Sequence, residues 1–219
     1  MNLVRAVVVC LVAGMLGACG SGSGQCEPAT LEFRALLAVA AGTPTEPTPT
    51  DESSRPARPA SPSDASYYVT ARIQQAFDEL DCTDPQARAA RAGTDDASVT
   101  CDADGSTKYI LGPVEVRGVR VVKATVDRAE PVNGTKDPRW VVALEFDEQG
   151  TRQFATTSQR LVSLMPPANR LGIVVDGLVI SAPAMEAAIV DGKAEISGAN
   201  FTGESAGALA RGLTCPRAR

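Results

Sequence analysis

The sequence predicts an α+β fold, a mostly antiparallel sheet with helices packed on one face. Three observations carry this. RWVVALEFD (139–147) alternates Val142, Leu144 and Phe146 with Ala143, Glu145 and Asp147, the period-two pattern of a strand with one buried face. EQGTRQFATTSQRLVSL (148–164) places Phe154, Thr157, Leu161 and Leu164 at helical spacing, an apolar stripe suited to lying on that sheet. RLGIVVDGLVIS (170–181) sets two β-rich runs around Asp176-Gly177, the dipeptide that supplies the positive φ values of a tight type I′ turn. With 219 residues, 44% of them hydrophobic, the chain can hold one domain of ordinary size plus tails, and two large domains do not fit.

In chain order, the apolar run Leu3–Ala18, with Arg5 near its start, is shorter than the ~20 residues of a spanning helix and ends in small residues, as a cleaved export signal does. Residues 1–18 are expected to be removed, which takes the formal charge from −5 to −6 because Arg5 leaves with them. GSGSG (20–24), within a tether spanning 19–30, is a flexible spacer. LEFRALLAV (31–39) suits a strand or a short helix, since periodicity does not separate the two for a short apolar run. The loop 41–65 holds six prolines among Thr, Ser and charged residues and is expected to be disordered. It reads as a loop inside the fold, because Leu31–Val39 needs a sheet to join and the only candidate sheet lies downstream.

SYYVTARIQQAFDELD (66–81) places Val69, Ile73, Phe77 and Leu80 on one helical face. Tyr67 and Tyr68 at its start suit either a contact site or half-buried packing. Residues 83–100 form a polar excursion. KYILGPVEVRG (108–118) and VRVVKATVDR (119–128) read as a short strand, a turn and a long strand, and Asn133-Gly134 marks the turn into strand 139–147. Pro166 and Pro167 end the helix 148–164. Asp191-Gly192 repeats the hairpin device before KAEIS. FTGESAGALARGL (201–213) is a last helix with Thr202 as N-cap and Leu209 and Leu213 facing inward, and its Gly203, Gly207 and Gly212 are expected to permit close packing.

With Cys10 removed in the signal and Cys19 left at the cleavage junction, Cys26, Cys82, Cys101 and Cys215 remain in an oxidising compartment, and four cysteines allow three pairings. The favoured set is Cys82–Cys101, which closes a short loop, with Cys26–Cys215 tying the start of the domain to its end. A metal cage would need cysteines from distant positions, because the chain has no His and no CxxC spacing. The absence of His also excludes Ser-His-Asp and Cys-His catalysis. The acidic candidates are Glu145, Asp147, Glu148, Asp176, Asp191 and Glu195. Glu145 and Asp147 share the outward face of a strand, which a solvated surface explains as well as a carboxylate pair does. Asp176 and Asp191 precede Gly in turns, where a carboxylate serves backbone geometry. GESAGALARG (203–212) lacks the Lys of a phosphate loop, so no catalytic, metal or cofactor site is expected. An acidic chain also lacks the basic footprint of a nucleic-acid binder.

Two resemblances add to this. Leu16-Gly17-Ala18-Cys19 resembles the lipobox of bacterial lipoproteins, which implies that Cys19 carries a diacylglyceryl group and becomes the new N-terminus. Several acyl chains, at ~0.8 kcal/mol per buried methylene, then hold the chain on the extracytoplasmic face of a membrane. Further on, LEF-x₃-G-x₃-F-x₂-T, NRLGIVVDGLVISAP, I-x-x-G-x-A-x-I-x-G and FT-x₃-A-x₂-LA occur in order. Their positions include Leu144, Phe146, Gly150, Phe154, Asp176, Gly177, Ser181, Pro183, Gly192, Gly198, Phe201, Thr202, Leu209 and Ala210. This order resembles the head of the first large extracytoplasmic domain of SecD, over roughly residues 108–213 and more weakly back to Leu31.

The resemblance implies ferredoxin-like layering, a head-like domain at 108–215 and a base-like region at 31–107, with Leu31–Val39 as a strand. It also implies a non-catalytic module that engages exported polypeptide or Sec translocon components. The chain ends at TCPRAR, where the family continues into membrane spans, so a proton-driven stroke is expected to be absent unless another protein supplies it. The alternative is an envelope lipoprotein that kept the fold and binds wall glycan or a membrane protein.

Overall fold

A computed structural model describes residues 28–88, 97–129, 139–198 and 201–215. The export signal, Cys19, the GSGSG tether, Cys26 and the Asn133-Gly134 turn lie outside the described residues. The elements run β1 (Leu31–Ala41), α1 (Ala65–Tyr68), α2 (Ala71–Glu79), α3 (Pro85–Arg88), β2 (Ser98–Cys101) and β3 (Thr107–Arg117). They continue with β4 (Val121–Ala129), β5 (Arg139–Phe146), α4 (Glu148–Val162), β6 (Leu171–Val175), β7 (Leu178–Ser181), β8 (Lys193–Ile196) and α5 (Gly203–Thr214). The fold is α+β, and every strand-to-strand ladder is antiparallel.

The strands divide between two sheets rather than one: β2-β3-β1-β6-β7 and β4-β5-β8. LEFRALLAV is indeed a strand, and a central one, with β3 on one side and β6 on the other. KYILGPVEVRG runs as one strand through Gly112-Pro113, and the chain changes sheets later, at the 3₁₀ turn Gly118–Arg120. A Cβ on Gly118 would come within 2.8 Å of the Leu31 Cβ, so the crossing needs a residue without a side chain.

One core lies between the two sheets and the helices α4 and α5. Phe33 from β1, Phe146 from β5 and Phe154 from α4 meet there. Phe33 stands edge-on to Phe146 at 5.7 Å and to Phe154 at 5.2 Å, while Phe146 and Phe154 stack at 5.2 Å. Asp147 caps α4 by accepting the Gly150 N–H at 2.6 Å, and Thr202 and Ser205 form a reciprocal capping box on α5. Of the residues the periodicity selects, Phe154, Thr157 and Leu161 on α4 and Leu209 and Leu213 on α5 are buried, while Leu164 lies just past the end of α4 and is half-buried against the same core.

The five-stranded sheet curls until its end strands touch. Asp102 bridges Val179, the Ala103 N–H donates to the Val179 carbonyl at 3.2 Å, and the Thr100 hydroxyl donates to the Gly177 carbonyl at 2.6 Å. Leu36, Leu111, Val174 and Val179 pack together on the enclosed face. Arg34, fully buried beside them, donates to the Gly112 carbonyl and to Glu32. This sheet therefore leaves little free edge.

The expected helix 66–81 is broken into α1 and α2, because Thr70 leaves helical geometry and caps α2 through the Ile73 N–H. Its stripe still docks, with Val69, Ile73 and Phe77 packing on Leu37 and Ile110. The proline-rich loop, expected to be disordered, has one 3₁₀ turn at Glu52–Ser54 and is tied to the body by its polar groups. Thr45 and Thr48 donate to the buried Asp78, Glu52 accepts the Ala71 N–H, and Arg160 donates to Ser63. Side-chain hydrogen bonds do here what apolar burial does elsewhere.

The Asp176-Gly177 hairpin forms as read, with φ 49° at Asp176 and φ 89° at Gly177. Asp191-Gly192 does not form a second hairpin. Only Gly192 has positive φ, at 72°, and β8 pairs with β5 rather than with β7. Of the helix glycines, Gly203 sits where a Cβ would come within 2.9 Å of the Trp140 ring, whereas Gly207 faces only the Arg211 side chain. Gly212 is buried and its carbonyl accepts the Ala29 N–H, so close packing is found at Gly203 and Gly212 and not at Gly207.

Candidate functional site

Curling of the larger sheet leaves the open edges to the smaller one. Its edge strands are β4, nine residues long, and β8, four residues long. Among the described residues no strand pairs with the outer side of β4. The strand forms because VVKATVDRA is rich in β-branched residues, and it stays at an edge while its Ala124 side faces the core cluster and α5. Three of the seven exposed large hydrophobic residues among those described lie on β4 or in the turn into it: Val119, Val122 and Val126, with Val122 62% exposed.

The outer face of this sheet carries a charge row set by register. Lys123 pairs with Glu145 across β4 and β5, and Glu145 pairs with Lys193 across β5 and β8. The Lys123 ammonium donates to Glu145 at 2.9 Å, and both side chains are open to solvent. Beside the row, Thr125, Ala143, Glu195 and Ile189 border a cleft of about 700 Å³. Asp127 turns its carboxylate onto the Arg128 N–H at 2.7 Å, and the Arg128 guanidinium lies 4.4 Å from the Trp140 ring centre. A register shift between Val121 and Lys123 confines the regular part of the edge to 123–129.

Of the acidic candidates, Glu145, Asp191 and Glu195 line this cleft together with Lys193, while Asp147, Glu148 and Asp176 do not line it. Glu145 lies on the strand face, and the hydrogen bond and charge of Lys123 hold its carboxyl below the usual range. Asp147 is not on that face but just beyond β5, as the α4 cap. The Gly150 N–H and then Arg120 hold it low as well. General acid catalysis requires the opposite shift. Glu148 pairs with Arg152 along α4, Asp191 accepts the Lys193 N–H at 3.2 Å, and Asp176 accepts both the N–H and the hydroxyl of Thr30. Tyr67 and Tyr68 pack edge to face at 5.0 Å with Arg55 over Tyr67, a half-buried arrangement rather than an open contact site.

Cys82 and Cys101 are joined, with their Cα atoms 5.6 Å apart. The Cys26–Cys215 pair falls partly outside the described residues. Cys215 is buried at the end of α5.

Buried charges escape the sequence reading: Arg34, Asp78 and Lys108, together with the ion pair between Glu115 and the half-buried Arg160. Lys108 donates to the Asp78 carbonyl at 3.1 Å and lies 4.9 Å from the Phe77 ring centre, and burial pushes its ammonium pKa down. The Glu115 carboxylate, on β3, takes both Arg160 and Thr157 from α4. A charge inside an apolar run, as in LEFRALLAV, is the only sequence trace these groups leave.

The family model of the SecDF P1 head subdomain matches residues 95–215, more than half of the chain. The chain belongs to the SecDF P1 head family. The match opens at β2, upstream of the first motif at 108. Protein translocase subunit SecD of Streptomyces coelicolor is 38% identical over 154 residues, covering 67% of this chain and 26% of that protein. The chain thus spans about a quarter of the length of this curated relative. A crystal structure of SecDF in its super-membrane-facing form aligns at 23% identity over 87% of this chain and 19% of that one, with a TM-score of 0.48. A structure of SecDF described as a membrane component that enhances protein export aligns at 23% identity over 94% of this chain and 71% of that one, also with a TM-score of 0.48.

Proposed function

We propose that this chain is a lipid-anchored, extracytoplasmic SecDF head module that holds exported, unfolded polypeptide and so supports Sec-dependent export, without catalysing a reaction. The observation that carries the reading is the outer edge of β4, long, valine-rich and unpaired among the described residues. An extended chain added there gains main-chain hydrogen bonds that depend little on sequence, which suits a binder of many different clients. Membership in the SecDF head family supports the export role, and Leu16-Gly17-Ala18-Cys19 supports the anchor. The Ala29 N–H donates to the Gly212 carbonyl at 3.1 Å, so the chain soon after Cys26 lies against the last turn of α5, which favours the Cys26–Cys215 tie.

The test is binding of a reduced, permanently unfolded secretory polypeptide, compared with peptides from it N-methylated at alternate amides. The reading expects binding by the unmodified peptides and its loss on methylation. Equal binding of both would remove strand addition from the account. No binding of either would remove the polypeptide-holding function and leave an envelope lipoprotein with another partner.

A further inference from the structure

The edge of β4 is complementary to itself. In VVKATVDRA the sequence around Thr125 reads Lys123, Ala124, Thr125, Val126, Asp127, so Lys123 and Asp127 are equidistant from Thr125 and opposite in charge. Side chains alternate along a strand, so Lys123, Thr125 and Asp127 share one face and Ala124 and Val126 share the other. Their registered partners on β5, namely Glu145, Ala143 and Val141 for the first set and Leu144 and Val142 for the second, agree with that division.

Building on the reading of β4 as an open edge, we propose that a second copy of this chain pairs with it, antiparallel and about a twofold axis through Thr125. In that register Lys123 stands opposite Asp127 of the partner subunit, and the reverse pair repeats on the other side of the axis. Ala124 meets Val126 of the partner subunit on the opposite face, which covers a valine that is otherwise exposed. The charge row Lys193, Glu145, Lys123 gains an acidic fourth member, so its signs alternate across the junction. Directly opposed residues in an antiparallel pair have backbone groups of the same orientation, and the positions joined here are both odd or both even, so the ladder runs without a bulge over 123–127, the part of the regular edge that is symmetric about Thr125. Lysine on an edge strand ordinarily repels a second edge. Here Asp127, four residues on, turns the same lysine into an attractive group for a copy of the strand. The two copies form a six-stranded sheet, β8-β5-β4-β4-β5-β8, and a client polypeptide and the second copy compete for one edge.

Sedimentation equilibrium of the full chain in detergent tests this, with Lys123→Asp and Asp127→Lys as variants and circular dichroism to confirm that each is folded. Each variant alone places like charges opposite each other twice and should weaken self-association by about tenfold or more. Mixed one to one, the two variants should associate with each other, because each aspartate of the first then faces a lysine of the second on both sides of the axis. A monomeric wild type, or variants that dimerise as the wild type does, would overturn the proposal. So would a mixture that stays monomeric when both parts are folded. Adding the unfolded secretory polypeptide separates this proposal from the one it rests on. Polypeptide bound by a wild type that never dimerises defeats the second copy alone. A dimer that shows charge-swap rescue and ignores the polypeptide defeats the client reading alone.

Discussion

Phe33→Ala is the substitution that most directly asks whether β1 and the smaller sheet are one cooperative body. The Phe33 ring is fully buried and makes two edge-on contacts, one to Phe146 of the other sheet and one to Phe154 of α4. Truncating a buried Phe costs about 3–5 kcal/mol through lost transfer free energy and the cavity left behind. The two ring pairs, each worth about 0.5–1.5 kcal/mol beyond area, place this site in the middle of that range, at about 4 kcal/mol. For a chain of this size that lowers the Tm by about 8–16 °C. Phe33→Leu keeps most of the volume and should lose about 1.5 kcal/mol. The assay is urea unfolding followed by both circular dichroism and the fluorescence of Trp140, the only tryptophan, which sits on β5 in the smaller sheet. Both signals should move together. A Trp140 transition that stays at the wild-type midpoint would refute the shared core, because it would mean that the smaller sheet unfolds without regard to β1.

Three further outcomes follow from named contacts. Asp147→Ala removes the α4 cap and should cost about 1 kcal/mol at neutral pH, read by urea denaturation. Because the folded carboxyl lies below its ordinary value, the stabilisation is complete above the unfolded pKa of about 4 and is lost as pH falls through the folded one, so the difference between Asp147→Ala and wild type should shrink in acid. Cys82→Ser with Cys101→Ser opens a link between residues 19 apart in sequence and should cost about 3 kcal/mol by loop-closure entropy, read by urea denaturation without reductant. Gly203→Val puts a branched side chain against Trp140, and overpacking of about 1–3 kcal/mol should appear with a shift in Trp140 emission, whereas Gly207→Ala should leave both near wild type.

What the sequence disclosed depended on how local the cause is. The Asp176-Gly177 hairpin, the Thr202 cap and the stripe of α4 each rest on residues a few positions apart, and they appear where the pattern puts them. The division into two sheets is not local. Alternation in 108–118 and 139–147 says which side chains are buried, but not that β3 pairs with β1 while β5 pairs with β4 and β8. Asp191-Gly192 misled for the same reason, since the dipeptide permits a hairpin but the partner strand decides it. Arg34 and Lys108 drew no reading of their own from the sequence and are buried, each satisfied by a carbonyl that only the folded chain brings near. The self-complementary spacing of Lys123 and Asp127 stood in the sequence throughout, and acquired meaning once β4 proved to be an edge.

The central claim is that β4 presents a free edge to an extended chain, and backbone hydrogen exchange across residues 121–129 addresses it without any substitution. The alternate amides that point away from β5 should exchange faster than the amides of β5 in the dilute protein, and should become protected when an unfolded secretory polypeptide is added in excess. Protection that appears elsewhere while β4 stays unchanged would contradict the account, as would a β4 already fully protected in dilute monomer.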